Sequence, residues 1–247
     1  MTMTTSTIGQ ARLTVGLAAI VLLAMTGAAS AADLGIGGPS GPVPQQVATL
    51  RHDTGAFAAP GPGSARVTEL SDVRPITGER TVLPVVAAAV GPGGLGWLEV
   101  LLPGRPNSHT GWIRQGATMT SDTPWRLTVR LSARTVTVYY ADRVAKVFLA
   151  VVGKPTTPTP TGHFFVEETV ELSAQQSGAP YALALSARSN ALQEFDGGPG
   201  QIALHGVGNI GGVPGTAVSH GCIRLATPAI TWLAMHITPG VAVTITS

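Results

Sequence analysis

Hydrophobic and polar positions alternate over much of this chain with a period of two, the spacing of half-buried strands. The clearest case runs from Trp125 to Leu131, where Leu127, Val129 and Leu131 share one face. Val136, Val138 and Tyr140 repeat the pattern, and Ala141-Asp142 marks a turn into Arg143–Val152, a long apolar strand. These three segments predict an antiparallel meander. His163–Val170 and Gln201–His205 are further strand candidates. Upstream, Ala65–Glu69, Thr81–Ala88, Gly96–Leu102 and Gly111–Arg114 are short β-like runs separated by Pro-Gly, Gly-Gly and Pro-Asn breaks. Such spacing suits a small barrel. One helix is predicted, with Thr227 as N-cap, Pro228 at its first position and Ile230, Leu233 and Ala234 on its apolar face. Pro239-Gly240 ends it, and Val241–Ile245 returns as a strand. The expected fold class is therefore mainly β with one short helix.

The N-terminus follows a different pattern. Arg12 precedes an uncharged apolar run, Leu13 to Met25, and Ala29-Ser30-Ala31 has the form of a small-residue cleavage site. That is the layout of a secretory signal peptide over residues 1–31. A retained anchor is the alternative reading, although the run is short of the ~20 apolar residues that span a bilayer. A lipoprotein signal does not fit, because the single cysteine is Cys222. Residues 32–46, with Gly35 to Pro44 reading GIGGPSGPVP, suit a linker. The chain then divides into a small β accessory domain at 47–120 and a second domain at 124–247. Trp97-Leu98-Glu99-Val100 followed by Gly111-Trp112-Ile113 resembles the end of a bacterial Src-homology-3-like domain.

Composition narrows the function classes. With 44% hydrophobic and 11% charged residues, the 247-residue chain is neither a disordered polyampholyte nor a coiled coil. A net charge of +2 without a basic, aromatic-laced stripe argues against nucleic acid as a partner. An exported chain meets an oxidising compartment, and the one thiol here cannot pair within its own chain. Such a thiol is an inert buried side chain, an intermolecular link or a reactive group.

Ser219-His220-Gly221-Cys222 is the window richest in chemistry. A cysteine attacks carbonyls as thiolate, so it needs a base or a local field that lowers its pKa from about 8.5. His220 is near in sequence, but a residue two positions away can point elsewhere. His205, at the end of a predicted strand, is the kind of base that a fold sets at a fixed distance. Gly221 allows a sharp turn and leaves the amides of Gly221 and Cys222 free for an oxyanion hole. The alternatives are core histidines, which suits His52, His109, His163 and His236, and a zinc site of His205, His220 and Cys222, whose spacing matches none of the usual patterns. The glycine-rich segment Gly206–Gly215 lacks the GK[ST] of a P-loop and reads as a mobile loop over a site.

His205-Gly206, the Gly/Pro-rich loop and Ser219-His220-Gly221-Cys222-Ile223-Arg224-Leu225 together resemble the signature of the L,D-transpeptidase (YkuD-type) catalytic domain. Gly153-Lys154-Pro155 through Gly162-His163-Phe164 is similar to the family's TPTPxGxF segment, and the likeness covers residues 124–247. The resemblance implies a β-sandwich-like catalytic domain and a two-step acyl transfer without cofactor or metal. It implies peptidoglycan stem peptides as donor and acceptor, in the periplasmic or extracellular wall space, with the membrane touched only through an uncleaved signal segment. Carried over by position, Cys222 is the nucleophile and His205 the base. His220 and Gly221 belong to the oxyanion hole, Ser219 supports the site, and Arg224 and Gly206 are substrate-side residues. Arg224 is either a supporting residue or the anchor of a substrate carboxylate. Some members carry serine directly after the base histidine; Gly206 stands there in this chain, so the group orienting His205 is left open. Water or a wall-protein lysine could replace the stem amine as acceptor. A wall-binding module with an idle thiol is a further rival, and a sortase fits the cysteine's setting poorly.

Overall fold

The structure is a computed structural model and describes residues 44–195 and 197–247. The expected signal segment and all but the last residues of the expected linker lie outside the described residues. No helix among the described residues is long and apolar enough to cross a membrane. The described residues belong to one compact unit.

Within it, seven strands make the first sheet: β1 (Gln45–Leu50), β2 (Thr54–Phe57), β3 (Arg66–Leu70), β4 (Val82–Val90), β5 (Gly96–Leu101), β6 (Thr110–Arg114) and β7 (Thr118–Thr123), in the order β3-β2-β6-β5-β4-β1-β7. The β-like runs of the sequence correspond to β3, β4, β5 and β6. The other three escape notice because they are short or carry few large apolar residues, TGAF and TMTSDT being two of them. Leu50, Leu83, Leu98, Val100, Leu102 and Ile113 form the core of this part.

Nine strands follow: β8 (Trp125–Arg130), β9 (Thr135–Tyr140), β10 (Arg143–Gly153), β11 (Gly162–Glu171), β12 (Tyr181–Arg188), β13 (Gln201–Gly206), β14 (Ala217–Ser219), β15 (Ile223–Leu225) and, after the helix α1 (Thr227–His236), β16 (Ala242–Thr246). Two of them change partners along their length. β10 pairs with β9 up to Leu149 and with β15 from Ala150, while β11 pairs with β16 up to Phe165 and with β12 from Val166. Strands that switch in this way form the corners of a sandwich. Leu127, Val129, Val136 and Val138 of the predicted meander are all buried in its core with Ile230 and Leu233 of α1. Phe164 joins this core and Phe165, on the opposite face of the strand, joins the core of the first sheet.

The helix differs from expectation by one residue. Ala226, with φ −56° and ψ 147°, is the N-cap and makes no side-chain cap bond, so Thr227 lies inside the first turn. Among these nine strands, β12, β14 and β15 are absent from the sequence-based expectation. β14 and β15 have three residues each, too few for a period to show.

Candidate active site

The site lies where β13 and β15 run parallel, with His205 opposite Arg224 and Leu204 opposite Ile223. This pairing brings together residues that the sequence separates by the loop from Val207 to Thr216. His205, Cys222, Arg224, His220, Gln201 and Ile202 line one narrow cavity of about 50 Å³, with Phe195 and Ile210 also on its wall. A larger cleft of 810 Å³ lies beside Trp125 and His163, but no cysteine lines it.

The turn that carries Cys222 is closed by its own serine. Ser219 is fully buried; its hydroxyl accepts the Gly221 amide at 3.1 Å and donates to the Cys222 carbonyl at 2.6 Å. The Gly221 amide is therefore engaged and not free for an oxyanion, which corrects the reading of the motif. With its one proton donated and the amide accepted, the hydroxyl serves the turn and not the substrate. The amides of His220 and Cys222 have no backbone partner among the described residues. Gly221 has φ +121°, a conformation that side chains rarely adopt, and an added Cβ would press on Ile202 at 3.0 Å.

The carbonyls of the same turn are taken up by the segment Gly153–Thr159, a role that the sequence does not reveal. The buried Thr159 hydroxyl donates to the Gly221 carbonyl at 2.8 Å and accepts the Gly153 amide at 2.9 Å. The Ser219 carbonyl accepts the Lys154 amide at 3.0 Å and the Thr157 hydroxyl at 3.2 Å. Threonines in a Pro-rich stretch thus replace a sheet ladder, satisfying backbone groups that a tight turn would strand. Their only sequence signal is the TPTP-like spacing.

His205 is buried, and its Nδ1 lies 2.8 Å from the Gly206 carbonyl. A carbonyl only accepts, so Nδ1 carries the proton and the lone pair is on Nε2. Burial lowers the imidazole pKa below 6.5, the Gly206 carbonyl opposes this, and the Arg224 charge adds to it. Gly206 thus supports the His205 ring rather than lining this cavity, where the motif had placed it on the substrate side. It is buried, absent from the cavity wall, and its amide donates to the Gly178 carbonyl at 2.7 Å. A Cβ at Gly206 would collide with the Ala179 carbonyl, so a serine has no room here. Gly178 approaches the ring closely as well, since its Cβ would sit 2.6 Å from Nδ1.

Cys222 is half-buried and unpaired. Burial pushes its pKa above 9.0; the Ala203 backbone amide and Arg224 act in the other direction. Its sulfur contacts the Gln201 carbonyl at 4.0 Å, and no hydrogen bond joins it to His205 among the described residues. Both groups are thus neutral at rest. The cavity holds a lone-pair-bearing imidazole and a thiol rather than a preformed ion pair.

The remaining residues fall on the two flanks. Arg224 is buried, donates Nη1 to the Gly211 carbonyl at 3.2 Å, and keeps Nε without a partner. With Asn209 Nδ2 on the Ala174 carbonyl at 2.6 Å and the Val207 amide on the Leu225 carbonyl, it ties down the 206–215 loop, whose glycines had pointed to mobility. His220 is exposed, stacks on Phe195 at 5.7 Å, and accepts from Lys154 Nζ at 3.3 Å through Nε2. His52, His163 and His236 lie elsewhere, bonded to the Asp53 carbonyl, the Thr244 hydroxyl and the Trp232 carbonyl. Among the described residues no group of three or more His, Cys, Asp or Glu side chains is placed to hold a metal ion.

Residues 124–245 match the model of the YkuD family, described as the L,D-transpeptidase catalytic domain. The putative L,D-transpeptidases YkuD of Bacillus subtilis and Bacillus licheniformis are 30% and 31% identical to this chain. Each match covers 60% of this chain, and 74% and 86% of the two relatives. A solved L,D-transpeptidase 3 from Mycobacterium tuberculosis, in complex with a faropenem-derived adduct, is 14% identical with a TM-score of 0.44, covering 68% of this chain and 91% of that one.

Proposed function

The chain belongs to the L,D-transpeptidase catalytic-domain family, and from that premise we propose that it is an exported cysteine L,D-transpeptidase of the bacterial cell wall. The observation that carries this reading is the shared cavity of Cys222 and His205, with the imidazole held by Gly206 so that Nε2 is free to accept a proton.

In the first half-reaction Cys222 Sγ attacks the carbonyl of the third residue of a peptidoglycan tetrapeptide stem, and His205 Nε2 takes the thiol proton. The oxygen becomes an anion and accepts from the Cys222 and His220 amides, the N–H groups of the turn without a backbone partner. Collapse breaks the peptide bond, His205 returns the proton to the departing nitrogen, and D-alanine leaves. A thioester remains. In the second half-reaction the side-chain amine of a neighbouring stem loses its proton to His205, attacks the thioester and restores the thiol, giving a three-to-three cross-link. No step of this scheme calls for a metal or organic cofactor.

Arg224 anchors a substrate carboxylate. It lines the cavity as a buried cation, and no carboxylate of the described residues pairs with it. A guanidinium in that state gains most from a bidentate anion. The 50 Å³ cavity admits a group of side-chain size, so the stem lies across its mouth and only the reacting end enters.

Mass spectrometry of the purified protein with a disaccharide-tetrapeptide tests the scheme. The expected result is a mass gain on Cys222 with release of D-alanine, followed by a cross-linked dimer. Release of tripeptide without dimer would make water the acceptor and the protein an L,D-carboxypeptidase. Cross-linking that survives in Cys222→Ala would overturn the reading.

A further inference from the structure

The hairpin between β3 and β4 reaches from the first sheet to β11. Val73 bridges Arg80, the Arg74 amide donates to the Glu79 carbonyl at 2.8 Å, and the Gly78 amide returns to the Arg74 carbonyl at 3.0 Å. This tip presents two groups to β11. Thr77 donates its amide and hydroxyl to Glu168 at 3.1 and 3.0 Å, and the Arg74 guanidinium forms an ion pair with Glu167. Both carboxylate side chains are buried, and Glu167 has no exposure at all.

Glu167 passes the contact on. Its Oε1 accepts from Arg188 Nη1 at 3.1 Å and from Gln201 Nε2 at 3.3 Å, and Gln201 Nε2 also donates to the Leu185 carbonyl at 3.0 Å. Gln201 is the residue whose backbone carbonyl contacts the Cys222 sulfur. The path from Arg74 to the thiol thus has two intermediates, Glu167 and Gln201.

Gln201 lies beside a break in the strand register. The register of β12 against β13 shifts between the pairs Ala184–Ala203 and Arg188–Gln201, and β11 against β12 shifts between Val166 and Glu168. Two neighbouring strand pairs are therefore irregular beside Gln201, which pairs with Arg188, and such irregularities re-aim side chains. The ion cluster lies across that break. A buried ion pair is a poor source of stability, because desolvation offsets its attraction, but it holds one geometry. Burial lowers the pKa of both Arg74 and Arg188, and Glu168 opposes this at Arg74. Two guanidiniums facing two carboxylates leave the cluster neutral.

We propose that Arg74 is a positioning residue for Cys222: through Glu167 it fixes Gln201 across the bulged register, and so sets the carbonyl that holds the thiol. The first sheet is then part of the catalytic apparatus rather than an appendage. The proposal rests on Cys222 being the nucleophile. The Gln201 carbonyl contacts the thiol at 4.0 Å, and a hydrogen bond to the neutral form disfavours ionisation. Loosening Gln201 should therefore move two readouts in opposite senses. Acylation slows because the sulfur is misplaced, while the pH at which iodoacetamide labels Cys222 falls.

The test uses full-length Arg74→Met and Arg74→Lys. Arg74→Met should lower kcat for the tetrapeptide donor by up to about 100-fold, the cost of misplacement near 1 Å. KM should change little, the alkylation limb should shift to lower pH, and Arg74→Lys should recover part of both. If Arg74→Met does not fold, Gln201→Met removes the side-chain amide while keeping the carbonyl, and it should show the same pair of changes. A folded Arg74→Met or Gln201→Met with unchanged kcat and unchanged alkylation limb overturns the proposal. Cys222→Ala separates the two levels of inference. If it stays active, the reaction scheme fails; if it is dead while those variants behave as the parent does, only the positioning role fails.

Discussion

The two histidines of the site are held in opposite ways. His205 stands at the end of a strand, buried, its Nδ1 clamped by the Gly206 carbonyl and its ring packed against Gly178. His220 stands on the turn, exposed, with Phe195 stacked on one face and Lys154 on Nε2. The first ring has one tautomer and one orientation. The second is open to solvent and has Lys154 Nζ on its Nε2. The proposed base needs both a free lone pair and a fixed position, and His205 has them in this fold.

His205→Ala gives the largest break in this comparison. Loss of a general base should slow acylation by about 10²–10⁴-fold, followed as mass gain on Cys222. His220→Ala keeps the backbone amide and should cost far less; equal losses in both would reverse the assignment. Gly206→Ser comes next. If the missing serine merely left the base unsupported, adding it would help. The collision with the Ala179 carbonyl predicts the reverse, a drop in acylation and in Tm, with overpacking worth ~1–3 kcal/mol.

Thr159→Val tests the cradle under the turn. It strands the Gly221 carbonyl and the Gly153 amide, at a cost of ~1–3 kcal/mol readable by thermal denaturation. Acid pH gives a finer probe. Because the His205 pKa is lowered from 6.5, the neutral base persists through pH 6.5, and the acid limb of acylation should fall below it. The sign for stability is the same. The unfolded imidazole binds its proton first, so the contribution of neutral His205 is present above pH 6.5 and is lost as pH falls toward the lower folded value. The thiol limb of alkylation should lie at higher pH than that of a free cysteine. Lys154→Met is the smallest change expected, since it frees His220 Nε2 without touching the strand that holds His205.

Much of this architecture is legible in the amino-acid sequence. The meander is legible because Leu127, Val129, Val136 and Val138 alternate strictly, and a period of two has one physical meaning when one face is buried. The SHGC window and a second histidine from a strand are legible because thiol chemistry needs a base and a turn. The short strands β14 and β15 are not, since three residues carry no period and are held by their neighbours' ladders. Residues 1–31 and most of 32–46 lie outside the described residues, so the expected export rests on the pattern at Arg12, Leu13–Met25 and Ala29–Ala31.

The sequence by itself determined the mainly β class, the family and the residues from which a site could be made. Tertiary structure decided how those residues are used. It brought His205 and Cys222 to one cavity by pairing β13 with β15 across a loop, gave the Gly221 amide to Ser219, and moved Gly206 from the substrate side to the base's support. The physical reason is reach. Periodicity and residue type report on contacts a few positions apart. A hydrogen bond from Thr159 to Gly221, or a path from Arg74 to Gln201, joins residues whose only relation is the fold that packs them together.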